Sequence, residues 1–363
     1  MIIKDTIFYW VRIPLKQPYH LSFKSVYYYD TILVRIVLEG GEESWGESTP
    51  LPGYSKATIK DAYNFTKEYS EYIRNKKLRE ARRVLLDKGK NMPFAASALL
   101  CAIDEIILKQ EIPWQQYFKV TNKLSVPLVG LVKTKNPIKL EQNVRELIEE
   151  GYETLKVKVA LPPVDIENDI KTLHRIREIA GEKINIRVDA NQGYSTQQAL
   201  TFLSQAQDIS LQLFEQPIAV GLWKDMKLLF NNRGNVPIML DEDILSMREV
   251  YLANEYQCAN YIKLKAMKQG GLIETLSIAK AAQKLGFKVI IGNGVQTEIG
   301  CMQENLLHYL VDDTLAGEQN GFLKQKKSIL KNPIPFNAGR VDLIYNPPNL
   351  EAIKSFIIIE NLN

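Results

Sequence analysis

The chain has little of what would announce a redox, zinc or histidine-based centre: only three of its 363 residues are cysteine and three are histidine. Cys101, Cys258 and Cys301 lack paired spacing, which argues against a zinc motif or a disulfide framework and fits reduced thiols of a cytoplasmic protein. No run approaches the ~18 apolar residues of a membrane span. The N-terminus MIIKDTIFYWVRIPL alternates like a strand and shows no signal-peptide pattern, so a soluble, intracellular protein is expected. Charge of one sign is also scarce. The net charge is +4, with 46 basic residues dispersed among 42 acidic ones, and no nucleic-acid surface is indicated. The densest basic run, RNKKLREARR from Arg74 to Arg83, is rich in helix formers and reads as a solvated helix face. A glycine-rich phosphate loop after the first barrel-type strand is missing, which argues against an open dinucleotide-binding sheet.

What is present is a rhythm. Residues 2–49 read as a β-meander with a Gly40-Gly41 turn, interrupted by a loop-like stretch, QPYHLSFKSVYYY, and followed by an irregular one, TPLPGYSK. From Thr58 to about Gln115 the period is helical, and FAASALLCAIDEIILKQ is apolar around most of its circumference, so its burial is expected. Period is lost from Trp114 to Val126. From Val126 onward, seven β-like runs alternate with helical segments: VPLVGLV, TLKVKVA, INIRVDAN, LQLFEQP, VPIMLDED, ANYIKLKA and FKVIIGNG. Seven such units favour a closed parallel barrel over an open sheet. The expected organisation is residues 1–125 as an α+β unit, 126–320 as the barrel, and 321–363 as a tail that returns to the first unit.

Charge appears where these runs end. Asp189, Glu215 and Asp241 are spaced by 26 residues each, and Lys265 follows 24 later, about the length of a strand plus a crossover helix. In a parallel barrel these side chains meet at the C-terminal rim, the face where such barrels do chemistry. Lys156 and Lys158 share one face of their strand, as do Lys263 and Lys265. Three carboxylates at close quarters need a cation, and all-oxygen ligation points to Mg²⁺ or Mn²⁺. An ion polarising a substrate carboxylate acidifies the adjacent carbon. A lysine whose pKa is depressed by a neighbouring lysine could then take the proton.

In the K-x-K of LKVKV, the D-A-N of VDAN, the E-Q-P of FEQP and the D-E of LDED, the chain resembles the enolase superfamily, muconate lactonizing enzyme subgroup. The resemblance implies a (β/α)7β modified TIM barrel with an α+β capping domain, whose two pocket-shaping loops would correspond to PYHLSFKSVYYY and TPLPGYSK. It implies Lys158 and Lys265 as acid/base lysines and Asp189, Glu215 and Asp241 as Mg²⁺ ligands. Lys265 is chosen over Lys263 by the K-x-x-K-x-G-G spacing through Lys268 to Gly271. Lys156 would assist Lys158 and contact the substrate carboxylate, Asn191 would stand behind the ligands, and Glu242 would be a charge partner of Lys265. Gln296 stands where several relatives carry a glutamate, with Glu298 two residues on, and both are candidate substrate contacts. None of His20, His174 and His308 falls on a barrel strand, unlike the histidine base of the mandelate racemase subgroup. The implied activity is proton abstraction next to the carboxylate of a small molecule, by a homo-oligomer or a monomer. Its outcome would be racemisation or epimerisation of a dipeptide or N-acyl amino acid, dehydration of the o-succinylbenzoate synthase type, or muconate cycloisomerisation. Readings from other classes are a non-catalytic binding barrel and an enzyme of phosphorylated sugars using GNGVQTEIG as a phosphate loop.

Overall fold

The computed structural model of the chain describes residues 1–20, 25–51, 55–111, 125–134, 136–311, 315–344 and 346–361. Strands β1 (Ile3–His20), β2 (Ser25–Leu38) and β3 (Glu43–Ser48) form the expected antiparallel meander. The stretch taken for a loop is largely strand, because its valine and tyrosines suit a pleated ladder. The register slips after Pro14 and resumes with Tyr19 opposite Val26. Residues 21–24 of that stretch, 52–54 of TPLPGYSK and 112–124 of the expected boundary lie outside the described residues.

Helices α1 (Ile59–Ile73) and α3 (Pro93–Glu111) pack on this sheet, and α2 (Leu78–Gly89) packs on α3. Thr58 and Asp61 close a capping box at the start of α1. As its composition predicts, α3 is buried from Phe94 to Leu108. It can lie on β3 because residue 46 is glycine: a Cβ there would stand 2.0 Å from the Ala98 carbonyl oxygen.

The barrel strands are β5 (Gly130–Leu131), β6 (Thr154–Lys158), β7 (Asn185–Asp189), β8 (Leu211–Glu215), β9 (Ile238–Leu240), β10 (Tyr261–Leu264) and β11 (Lys288–Ile291). They form one parallel sheet in sequence order. Their crossovers contain α4 (Pro137–Glu149), α5 (Ile166–Ala180), α6 (Thr196–Gln205), α7 (Trp223–Asn231), α8 (Met247–Tyr256), the short α9 (Ala266–Gln269) with α10 (Leu272–Lys284), and α11 (Glu298–Leu310). An irregular eighth segment closes the ring. On one side Gly317 donates to the Pro127 carbonyl at 2.8 Å and accepts from Val129 at 2.9 Å, and on the other Glu318 donates to Ile291 at 3.4 Å. The architecture is thus the expected (β/α)7β barrel. The run VPLVGLV is divided, since its start forms β4 (Ser125–Pro127), paired antiparallel with β13 (Arg340–Asp342), itself paired with β12 (Phe336–Asn337).

The C-terminal strand β14 (Ile357–Asn361) pairs with β1, giving the N-terminal sheet the order β14-β1-β2-β3. The fold is therefore an α/β barrel with an α+β cap to which both chain ends contribute. No helix among the described residues is long and apolar enough to cross a membrane.

Candidate active site

Five neighbouring strands, in the order β6, β7, β8, β9 and β10, end in Lys158, Asp189, Glu215, Asp241 and Lys265. Lys158 is opposite Asp189 in the ladder, and Asp189 is opposite Glu215, so parallel pairing sets the side chains at one level. Asp241 and Lys265 each stand one residue past the end of their strand. The turns that follow have local causes. Asn191 (φ 41°) and Gln216 (φ 34°) adopt positive φ, which asparagine tolerates better than most residues. The Gln216 side chain then accepts from the Asp241 amide at 3.0 Å and donates to Asp243 at 2.7 Å, tying the ends of β8 and β9 together.

The three acids are at most 1% exposed and engage lysines. Lys158 pairs with Asp189 at 2.6 Å and also donates to Asn191. Lys265 pairs with Asp241 at 2.6 Å. Lys156 contacts Asp189 at 2.7 Å and Glu215 at 2.8 Å. Lys268 pairs with Asp241 at 2.8 Å. Of these ammonium-bearing side chains Lys158 is the most open, at 31% exposed, against 6% for Lys156 and 4% for Lys265.

Burial pushes Glu215 up to about 8, reinforced by the negative charge of Asp189 and opposed by Lys156 and Lys263. Burial also works against ionised Asp189, but Lys156 and Lys158 outweigh it and hold that carboxyl well below its usual range. The Lys158 ammonium was expected to be depressed by Lys156. Burial does act in that direction, yet the attraction of Asp189 outweighs burial and Lys156 together, and its pKa is raised.

Several expected neighbours stand elsewhere. Glu242 accepts from Asn191 at 3.0 Å and feels the charge of Lys265, which opposes the rise that burial imposes on it, while Asp241 contacts Lys265 at 2.6 Å. Glu298, the first residue of α11, accepts from the Ser328 hydroxyl at 2.8 Å and the Ile329 amide at 2.7 Å. It thereby holds the C-terminal segment and does not join the lysine–acid cluster. Gln296 is buried behind Lys265 in a network with Asn293 and Glu304. Glu304 in turn accepts from the Ala266 amide at 3.1 Å.

The structure adds residues that the motifs did not single out. Lys263, fully buried, bridges Glu215 at 2.6 Å and Glu318 at 2.8 Å and stands 3.9 Å from Asp241. Glu318, on the closing segment, also pairs with Lys156 at 2.8 Å. Glu47 on β3 accepts from the Thr297 amide at 2.6 Å and the Gly300 amide at 2.9 Å, so the cap secures the N-terminus of α11. Alternation along β10 could have found Lys263. Nothing local marked Glu318.

The donor chemistry of Asp189, Glu215 and Asp241, three buried carboxylates with no sulfur or imidazole beside them, fits a hard divalent ion. Among the described residues the acids do not already form a ligand cluster. Lys156 lies between Asp189 and Glu215, and Lys263 lies between Glu215 and Asp241.

Fold and row together define a barrel enzyme of the enolase type. A family model described as "Enolase C-terminal domain-like" matches residues 139–347, more than half of the chain, and the chain belongs to that family. It is 27% identical over 308 residues to an L-Ala-D/L-Glu epimerase of Clostridium acetobutylicum, covering 80% of this chain and 82% of that one. It is 24% identical over 336 residues to an N-succinyl-L-Arg/Lys racemase of Bacillus cereus, covering 90% of each. The dipeptide epimerase of Cytophaga hutchinsonii, solved with Mg and the dipeptide D-Ala-L-Val, superposes with a TM-score of 0.88 at 19% identity, over 98% of both chains.

Proposed function

We propose that this enzyme moves the proton α to the carboxylate of an amino acid derivative, removing it on one face and returning it on the other. The observation that carries the reading is the order lysine, acid, acid, acid, lysine across five adjacent strands. Lys158 and Lys265 flank the acids from the two ends of that row. Two bases on either side of one carbon are what inversion requires, whereas elimination or cyclisation needs only one to abstract. The relatives named as an epimerase and a racemase support the same outcome.

Asp189, Glu215 and Asp241 would hold a Mg²⁺ or Mn²⁺ ion. When bound, it supplies electrophilic stabilisation of the charge that develops on the substrate carboxylate. The chain's own residues do the rest. Lys158, the more open of the two bases, meets the substrate from one side, and Lys265, seated on Asp241, meets it from the other. Asn191 orients Lys158, and Lys268 fixes Asp241. The buried, free cysteines suit a reducing, cytoplasmic setting.

The test is incubation in D₂O with a library of dipeptides and N-acyl amino acids. Deuterium should enter the α position of both epimers with wild type, and net epimerisation should vanish in Lys158→Ala and in Lys265→Ala. Full epimerisation by either variant, or dehydration without exchange, would overturn the reading.

A further inference from the structure

The two lysines that flank the acids are not held alike. Lys158 lies within the parallel ladder, opposite Asp189, so strand pairing fixes its backbone. Lys265 stands beyond the last ladder pair of β10, Leu264 with Ile291, and other bonds must set its position. Its amide donates to the Gln269 side chain at 2.7 Å, within the turn that follows it. The next amide, that of Ala266, donates at 3.1 Å to Glu304, which arrives from α11. Glu304 is fully buried, and a side chain needed only to fill that space would not have to be an acid.

The surroundings of Glu304 show in which form the acid sits. The ends of Asn293, Gln296 and Glu304 close a triangle. Asn293 Nδ2 stands 2.6 Å from Glu304 Oε2 and 2.9 Å from the Gln296 amide end, which itself stands 2.7 Å from Glu304 Oε2. Each side of such a triangle needs a donor at one end and an acceptor at the other. An ionised carboxylate only accepts, so both amides would have to present their NH₂ groups to it, and those groups would then meet each other with no acceptor between them. A proton on Oε2 removes the conflict. Glu304 then donates to the Gln296 oxygen, Asn293 donates to both of its neighbours, and Oε1 accepts from Ala266. Burial acts in the same direction, pushing this carboxyl up to about 8, reinforced by Glu47 and opposed by the hydrogen bonds from Asn293 and Ala266 and by Lys265. Cys101 on α3 and Cys301 on α11 also lie within its electrostatic reach.

We propose that Glu304 is a positioning residue for Lys265. As a neutral carboxylic acid it closes the triangle with Asn293 and Gln296, and through the Ala266 amide it fixes the backbone that carries the second base. This rests on the α-proton reading above, which makes Lys265 a base.

The protonation state and the positioning are read separately on the full chain. Infrared difference spectra of wild type against Glu304→Gln at neutral pH should show the C=O band of a protonated carboxylic acid, shifted in D₂O and lost in the variant. Absence of that band from wild type would overturn the proposal. With Mg²⁺ present, α-deuterium incorporation is then followed from each epimer of a substrate at low conversion, and Lys158→Ala and Lys265→Ala identify which epimer yields its proton to which lysine. In Glu304→Leu, which loses both oxygens, exchange on the Lys265 side should fall relative to the Lys158 side by on the order of tenfold or more, since a reacting group displaced by about 1 Å can lose ~100-fold. Glu304→Gln, which keeps an acceptor for Ala266, should show a smaller bias of the same sign. The ratio is taken within one preparation, so a reduced folded fraction lowers both rates alike and cannot create it. Equal slowing on both sides in both variants would make Glu304 a structural residue only and overturn its positioning role while the α-proton reading stands. Exchange of neither epimer by wild type would instead sink the α-proton reading, and the positioning role with it.

Discussion

Lys263 offers the sharpest test of how the acid cluster is held together. Its ammonium is fully buried between Glu215 at 2.6 Å and Glu318 at 2.8 Å, so Lys263→Met keeps most of the side-chain volume while removing the charge. Glu215 and Glu318 would then share Lys156 alone. Breaking a buried pair by deleting one partner typically costs about 3–5 kcal/mol, because the remaining charge is left uncompensated. Urea denaturation in EDTA should show a loss of that size for Lys263→Met, and a smaller one for Glu318→Gln, which retains one acceptor. The double variant should cost less than the sum by ~1 kcal/mol or more, since both changes dismantle one contact. Mg²⁺ should shrink the deficit by supplying positive charge to the same oxygens. A Lys263→Met protein within about 0.5 kcal/mol of wild type, or strict additivity in the double variant, would refute the view that this ammonium compensates the acids.

Other consequences are read by different probes. Burial first, then Arg187 and Arg340, depress His308 from 6.5 to about 4. The unfolded chain therefore takes up a proton before the folded one, and stability present above pH 6.5 is lost as pH falls toward 4. The gap corresponds to about 3 kcal/mol. His308→Gln should flatten this acid limb in urea melts run between pH 8 and pH 5, and an unaltered slope would count against it. Gly271→Ala should lower the melting temperature sharply. Residue 271 has φ +125°, and a Cβ there would meet the Asp104 carboxylate, which caps Ile273, at 2.6 Å. A protein that melts like wild type would contradict that geometry. EDTA should abolish exchange of the α proton while far-UV circular dichroism stays unchanged, because lysines already neutralise the acids. Mg²⁺ should restore exchange and raise the melting temperature, and metal-independent exchange would remove these carboxylates from the ligand role.

The barrel and its row of charges were legible because each lies in a regular, strongly apolar strand. Spacings of 26, 26 and 24 residues set Asp189, Glu215, Asp241 and Lys265 at matched strand ends before any contact was seen. Glu318 was not legible, since its segment, LAGEQN, has neither alternation nor a β-branched run and closes the ring through few backbone bonds. Alternation puts Lys263 on the same face as Lys265, but the K-x-x-K-x-G-G spacing marks only Lys265. The structural contact of Glu298 was illegible for a three-dimensional reason. As the first residue of α11 it meets the returning C-terminal segment, a contact between positions some thirty residues apart that no local pattern encodes.

The same charges bear on what a divalent cation would contribute to the proposed reaction. Asp189, Glu215, Asp241, Glu242 and Glu318 face Lys156, Lys158, Lys263, Lys265 and Lys268, so the cluster is close to neutral when every group is ionised. A neutral cluster exerts little net pull on an anionic substrate and stabilises poorly the second negative charge that deprotonation creates. With Lys158 raised by Asp189, moreover, its amine is protonated and cannot act as a base. A divalent ion held by Asp189, Glu215 and Asp241 would supply positive charge there, and Asp189, engaged by it, would attract the Lys158 ammonium less strongly. In the proposed reaction metal binding would therefore arm the base, so that removing the ion and removing Lys158 would act on the same contact.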